Sequence, residues 1–144
     1  NISYSEKDFK QNFGDDIWLS LTKDVPKESC KYCGFSPSNK DILQFHLSRV
    51  DLDPSKSSID VLCNACHATQ HVDKSLGLGW VRLVNSRYTQ AQLTQICRAN
   101  QLQTNYENRW IVDLSVEPGH FLSLFQEHMK KGKIKVVFTQ NFAW

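Results

Sequence analysis

Two C-x-x-C pairs, Cys30-Lys31-Tyr32-Cys33 and Cys63-Asn64-Ala65-Cys66, constrain this chain more than any other feature. Each pair sets two sulfurs on one tight turn, where both can reach a single ion at about 2.3 Å. Gly34, directly after Cys33, supplies the left-handed backbone position that such a knuckle requires. The 29 residues between Cys33 and Cys63 leave room for the knuckles to converge on one tetrahedral site. A thioredoxin-like redox reading would use one pair and leave the other unexplained. The spacing therefore predicts one structural Zn2+ held by Cys30, Cys33, Cys63 and Cys66. Four thiolates fill the coordination sphere, so this ion holds loops together and does no chemistry. The fifth cysteine, Cys97, stands alone, and the clustering of the others argues against a disulfide framework. Metal-bound thiolates fit a reducing compartment.

At 144 residues, with 40% hydrophobic and 11% aromatic residues, the chain is long enough for one domain with its own core. No apolar run approaches the roughly 18 to 20 residues of a membrane span, and the first residues lack the pattern of a secretory signal. These features predict a cytoplasmic protein with no direct membrane insertion. The formal charge of +2 counts the thiols as neutral. Four thiolates and one zinc ion bring the loaded chain close to neutrality, so its mild basicity gives no reason to expect nucleic acid.

Ser5 and Asp8, with Phe9 and Phe13 one turn apart, predict a short helix that stops at Gly14. Ile17–Leu21 fits either a strand or a second helical turn. Ile42–Val50 and Ile59–Leu62 read as strands around a turn at Asp51–Ser55, and Cys66–Val72 reads as helix. Gly77 and Gly79 flank an expected flexible connection to a strand over Trp80–Val84. Thr89 and Gln92 form a capping box for a helix to about Ala99, with Leu93, Ile96 and Cys97 on one face and Cys97 buried. Alternation from Trp110 to Val116 predicts a strand. Pro118 opens a helix that Gly132 ends, and Ile134–Phe138 reads as a last strand. The lysines around Gly132 suit the end of that helix, where its dipole favours cations. The expected whole is a single α+β domain over 1–144. Within it, a zinc-knuckle module spans 28–75 and a helix and strand packing layer spans 76–144.

The order Cys30-x2-Cys33-Gly34, Phe45-His46-Leu47, then Cys63-x2-Cys66-His67-x3-His71 resembles the zinc-containing HNH endonucleases over about 42 residues. The resemblance implies a zinc-stabilised HNH-like treble clef of ββα form. It casts His46 as the general base that activates water, and His67 and His71, one helical turn apart, as ligands of a second, catalytic metal. Two positions depart from the family pattern. Phe45 stands where a ligating His or Asp is common, and Ser58 where an Asn orients the base. A phenyl ring binds no metal, so a two-histidine site would need a carboxylate such as Asp51 or Asp53 to complete it.

A second resemblance extends further. Cys30-Lys31-Tyr32-Cys33-Gly34-Phe35, Gly77-Leu78-Gly79 and Thr89-Gln90-Ala91-Gln92-Leu93 with Cys97 are similar to the IcmJ/DotN family of type IVB (Dot/Icm) secretion systems. Glu117-Pro118-Gly119-His120-Phe121 matches a later stretch of that family less closely. This resemblance implies a non-enzymatic zinc-binding assembly or adaptor subunit with an HNH-like clef whose catalytic residues have decayed. Its partner would be a segment of the secretion-coupling ATPase, which would bring it to the inner-membrane face. Its expected docking surface is the part after Gly79, including the aromatic tail Phe142-Ala143-Trp144. The alternative is an HNH-type metal-dependent DNA endonuclease with His46 as base, the one reading that calls for nucleic acid.

Overall fold

The computed structural model describes residues 5–100, 111–114 and 134–144. The expected helix between Pro118 and Gly132 and its lysines up to Lys133 lie outside these residues, as does Trp110. The chain divides into two compact units, Asn1–His67 and Ala68–Trp144.

The first unit opens with α1 (Glu6–Phe13) and α2 (Asp15–Thr22). Ser5 caps α1 reciprocally: its hydroxyl accepts from the Asp8 N–H, and Asp8 accepts from the Ser5 N–H at 3.1 Å. Gly14, at φ 92°, ends α1 and starts α2 in a conformation other residues avoid. Asp15 and Asp16 then lie in the first turn of α2, where the helix dipole favours them, and the run Ile17–Leu21 is helical. Strands β1 (Gln44–Arg49) and β2 (Ser58–Leu62) form an antiparallel hairpin, with Gln44 opposite Leu62 and His46 opposite Asp60. In the connection, Asp53 caps a single 3-10 turn over Pro54–Lys56 through the Ser55 N–H. Phe9, Trp18 and Leu47 make the buried cluster of this unit, with Phe45 and Ile59 packed against it. Successive strand residues face opposite ways, so Phe45 and Leu47 serve this core while His46 points to the other face. α3 (Asn64–Gln70) follows β2 directly, and the division between the units falls inside it.

The second unit continues with α4 (Val72–Gly77), β3 (Val81–Ser86), α5 (Gln90–Ala99), β4 (Ile111–Leu114) and β5 (Ile134–Phe138). Its sheet has the order β4-β3-β5, and both pairings are antiparallel. The central strand carries Leu83 and Val84, adjacent and facing opposite ways, at 1% and 0% exposure, so it is covered on both faces. Leu93, Cys97, Val136, Val137 and Phe138 are buried with it.

α4 runs up to Gly77, and the connection expected between Gly77 and Gly79 is the turn that follows it. The Ser75 hydroxyl donates to the Ala68 carbonyl at 2.9 Å, and the Gly79 N–H donates to the Leu76 carbonyl, so these residues are fixed locally. α5 begins with the capping box of Thr89 and Gln92. Its first residue, Gln90, reaches β5: its amide donates to the Val136 carbonyl at 2.9 Å and accepts the Val136 N–H at 2.8 Å. The aromatic tail folds back onto this unit. Phe142 is buried, with its ring centroid 4.6 Å from that of Phe138 and 6.0 Å from that of Trp80, while Trp144 stays 38% exposed.

Candidate metal centre

Cys30, Cys33, Cys63 and Cys66 converge, with all four sulfurs within 4.8 Å of one another. The first knuckle turns at Gly34 (φ 78°), whose N–H donates to the Cys30 carbonyl at 3.0 Å. The Lys31 N–H donates to the Val61 carbonyl of β2, which fastens this knuckle to the hairpin. The second knuckle is the junction of β2 and α3, where the Cys66 N–H donates to Cys63 Sγ at 3.3 Å. Outside the cluster, Lys31 Nζ pairs with Asp60 at 2.8 Å, and that carboxylate raises the lysine above its usual range.

The four cysteines are in no disulfide and are between 1% and 8% exposed. Cys33 Sγ lies 3.6 Å from Cys63 Sγ, far beyond the roughly 2.05 Å of a disulfide. It is close to the roughly 3.8 Å that two sulfurs on one tetrahedral ion would keep, given bonds of about 2.3 Å. Packed this closely, the thiols do not titrate alike. Hydrogen bonds with Cys33, Cys63 and Cys66 hold Cys30 far below the ordinary thiol range. The same proximity to Cys30 and Cys33 pushes Cys63 and Cys66 up. A thiolate forms readily at Cys30, whereas Cys63 and Cys66 keep their protons unless a cation shares the space. The residues therefore fit a metal ion, and the cluster could hold one.

His46 and His67 also come together. His46, on β1, is 5% exposed, and its ring lies edge-on to that of His67, on α3, at 5.2 Å between centroids. His71 follows the end of α3, in the second unit. His67 Nδ1 is 2.6 Å from the Gln44 side-chain oxygen. The expected carboxylate helpers do not join them. Asp51 binds Arg49 at 2.9 Å and accepts from the Asp53 N–H, while Asp53 accepts from the Ser55 N–H and hydroxyl. Both acids shape the hairpin connection. Phe45 packs into the core, with Lys27 Nζ 4.5 Å from its ring centroid, and Ser58 begins β2 with its carbonyl accepting from the Ser48 hydroxyl.

Gln44 was not singled out in the sequence. Strand alternation places it on the His46 face, two residues earlier, and that period is the signal that could have found it. No protein-family model, curated protein or solved structure matches the chain.

Proposed function

We propose that the four-cysteine centre holds one zinc ion within an HNH-like treble clef, and that the chain is a non-enzymatic assembly or adaptor subunit. Its partner would be a protein segment of the kind a type IVB secretion-coupling ATPase would present. The observation that carries this reading is the closure of the centre. Four buried thiols lie close enough to fill a tetrahedral ion's shell, which would leave no position for water or substrate. Phe45 supports it, since the side chain at the usual ligand position is packed into the core. Residues from Ala68 onward form a compact unit of their own, more than a knuckle needs for closure. On that unit Leu78 and Trp144 are large apolar side chains left partly in water. Contacts of this kind bury on the order of 1,000 Å² or more.

The test is co-purification of the zinc-loaded chain with tails of candidate coupling ATPases. Leu78→Ala and Trp144→Ala should weaken capture, while Lys74→Ala, an exposed control, should not. Phe142 is unsuitable as a probe because its ring is part of the packed tail. An HNH-type endonuclease draws on the closeness of His46 and His67. DNA cleavage with Mg2+, Mn2+, Zn2+ or Ni2+ that vanishes in a folded His46→Ala variant would replace the adaptor reading with that one.

A further inference from the structure

We propose that Cys33 and Cys63 form a peroxide-sensitive pair: oxidation links them by a disulfide across the two knuckles, which ends zinc binding and keeps the knuckles joined in the ion's place. The proposal rests on the zinc reading of the cysteine centre and not on the adaptor role.

The first support is the place of the pair. Cys33 Sγ and Cys63 Sγ stand 3.6 Å apart, and they come from different knuckles. A disulfide of about 2.05 Å needs an approach of roughly 1.5 Å. The backbone holds the pair in register without metal. Lys31 and Val61 stand two residues before Cys33 and Cys63, and the Lys31 N–H donates to the Val61 carbonyl at 3.0 Å. The Lys31–Asp60 ion pair ties the same two stretches from outside. A link inside either knuckle would tie neither of them to the other.

The second support is access. Cys33 is 8% exposed, against 1% to 2% for Cys30, Cys63 and Cys66, so an oxidant meets its sulfur first. The next residue, Gly34, has no side chain, and a Cβ placed there would meet nothing within 4 Å, so the space beside this knuckle is open.

The oxidant is hydrogen peroxide or another two-electron peroxide. The Cys33 thiolate attacks one peroxide oxygen, the O–O bond breaks, and hydroxide leaves with the electron pair, which gives a sulfenic acid at Cys33. The Cys63 thiolate then attacks that sulfur. An S–S bond forms, the S–O bond breaks, and a second hydroxide leaves. Two protons from solvent turn both hydroxides into water. The two thiolates together lose two electrons, and the peroxide gains them. A disulfide sulfur is no longer a thiolate ligand, and Cys30 with Cys66 supply only two, so the centre can no longer hold zinc. A dithiol reductant reverses the link and restores the four ligands.

The experiment treats the reduced, zinc-loaded full chain with equimolar hydrogen peroxide and follows zinc with a chromophoric chelator. One zinc per chain should be released, with a mass loss of two hydrogens and one cross-linked peptide that contains Cys33 and Cys63. Amides of β1 and β2 should stay protected from exchange in the oxidised chain, whereas chelation of the reduced chain removes that protection. Dithiothreitol with Zn2+ should restore the starting form. Cys97→Ser should respond as the unaltered chain does, because that buried thiol lies in the other unit. Cys33→Ser should lose the cross-link. If that variant fails to hold zinc, the peptide map of the unaltered chain decides the matter. Zinc retained through the peroxide step, a link confined to Cys30–Cys33 or Cys63–Cys66, or oxidised β1 and β2 that exchange freely would each overturn the proposal and leave the zinc reading standing. A reduced, folded chain without zinc would instead end the zinc reading, and the proposal with it.

Discussion

The residues up to His67 and those from Ala68 are held together by different means. The first unit has a small apolar cluster around Phe9, Trp18 and Leu47, and its two knuckles converge at four buried thiols. The second has a strand covered on both faces and apolar side chains from β3, α5 and β5 buried throughout. Four neutral thiols contribute little by themselves, and four thiolates repel. A bound cation would turn that liability into the main source of order, whereas the sheet relies on burial worth about 25 cal/mol per Å². One unit should answer to chelators and acid, and the other to cavities.

Metal removal gives the largest effect. Structural zinc contributes on the order of 10 kcal/mol in small modules, as much as many whole domains possess. Chelation, or Cys63→Ser, should erase amide-exchange protection in β1 and β2 while β3 and β5 keep theirs. Equal loss in both units would end the distinction drawn here. The reverse experiment is Leu93→Ala, a truncation at a fully buried site of α5. It should cost about 2 to 5 kcal/mol in the unfolding of the second unit. Metal analysis should still find one zinc per chain.

Acid sharpens the contrast further. Cys63 and Cys66 are pushed up by their neighbours, so as free thiols they hold their protons over the neutral range and must release them to bind metal. Lowering the pH therefore favours the metal-free form, by about 1.4 kcal/mol per pH unit for each proton taken up. Zinc release followed with a chromophoric chelator should steepen as pH falls, with the protection of β3 and β5 unchanged through the same steps. The smallest effect is Thr89→Ala. It removes the hydroxyl that accepts the Gln92 N–H at 3.1 Å and should lower the second unit's stability by about 1 kcal/mol, read from its denaturation midpoint. Zinc affinity should stay the same.

Much of the fold was legible where the signal is local. The capping boxes at Ser5 and Thr89 mark helix starts because they are short-range hydrogen-bond patterns written in adjacent residues. The cysteine cluster was legible because knuckle spacing is a geometric demand on sequence. Ile17–Leu21 was ambiguous because a five-residue stretch with four apolar residues suits both periods, and Gly14 with its two following acids decides it. The helix Val72–Gly77 was missed because Gly77 and Gly79 outweighed a hydrogen bond from Ser75 that no short-range pattern announces. Joining His46 to His67 needed the position of β1 against the start of α3, which depends on the fold and not on spacing. Burial of Phe142 likewise depended on Phe138 and Trp80 being near in space.

Gln90 has a consequence for how this protein behaves in a crowded solution. A strand at the margin of a sheet offers bare amides and carbonyls to any extended chain that drifts past, and that invitation is how native sheets begin to stack into fibres. At Val136 the offer has already been taken up, because the Gln90 carboxamide presents the same donor and acceptor pair that a neighbouring backbone would bring. The side chain counterfeits a single residue of an additional strand, and it does so from the first turn of a helix, which cannot be extended into a further strand. An incoming chain would have to displace both hydrogen bonds at Val136 before it could dock there, so Gln90 acts as a stopper against sheet-to-sheet association at that margin.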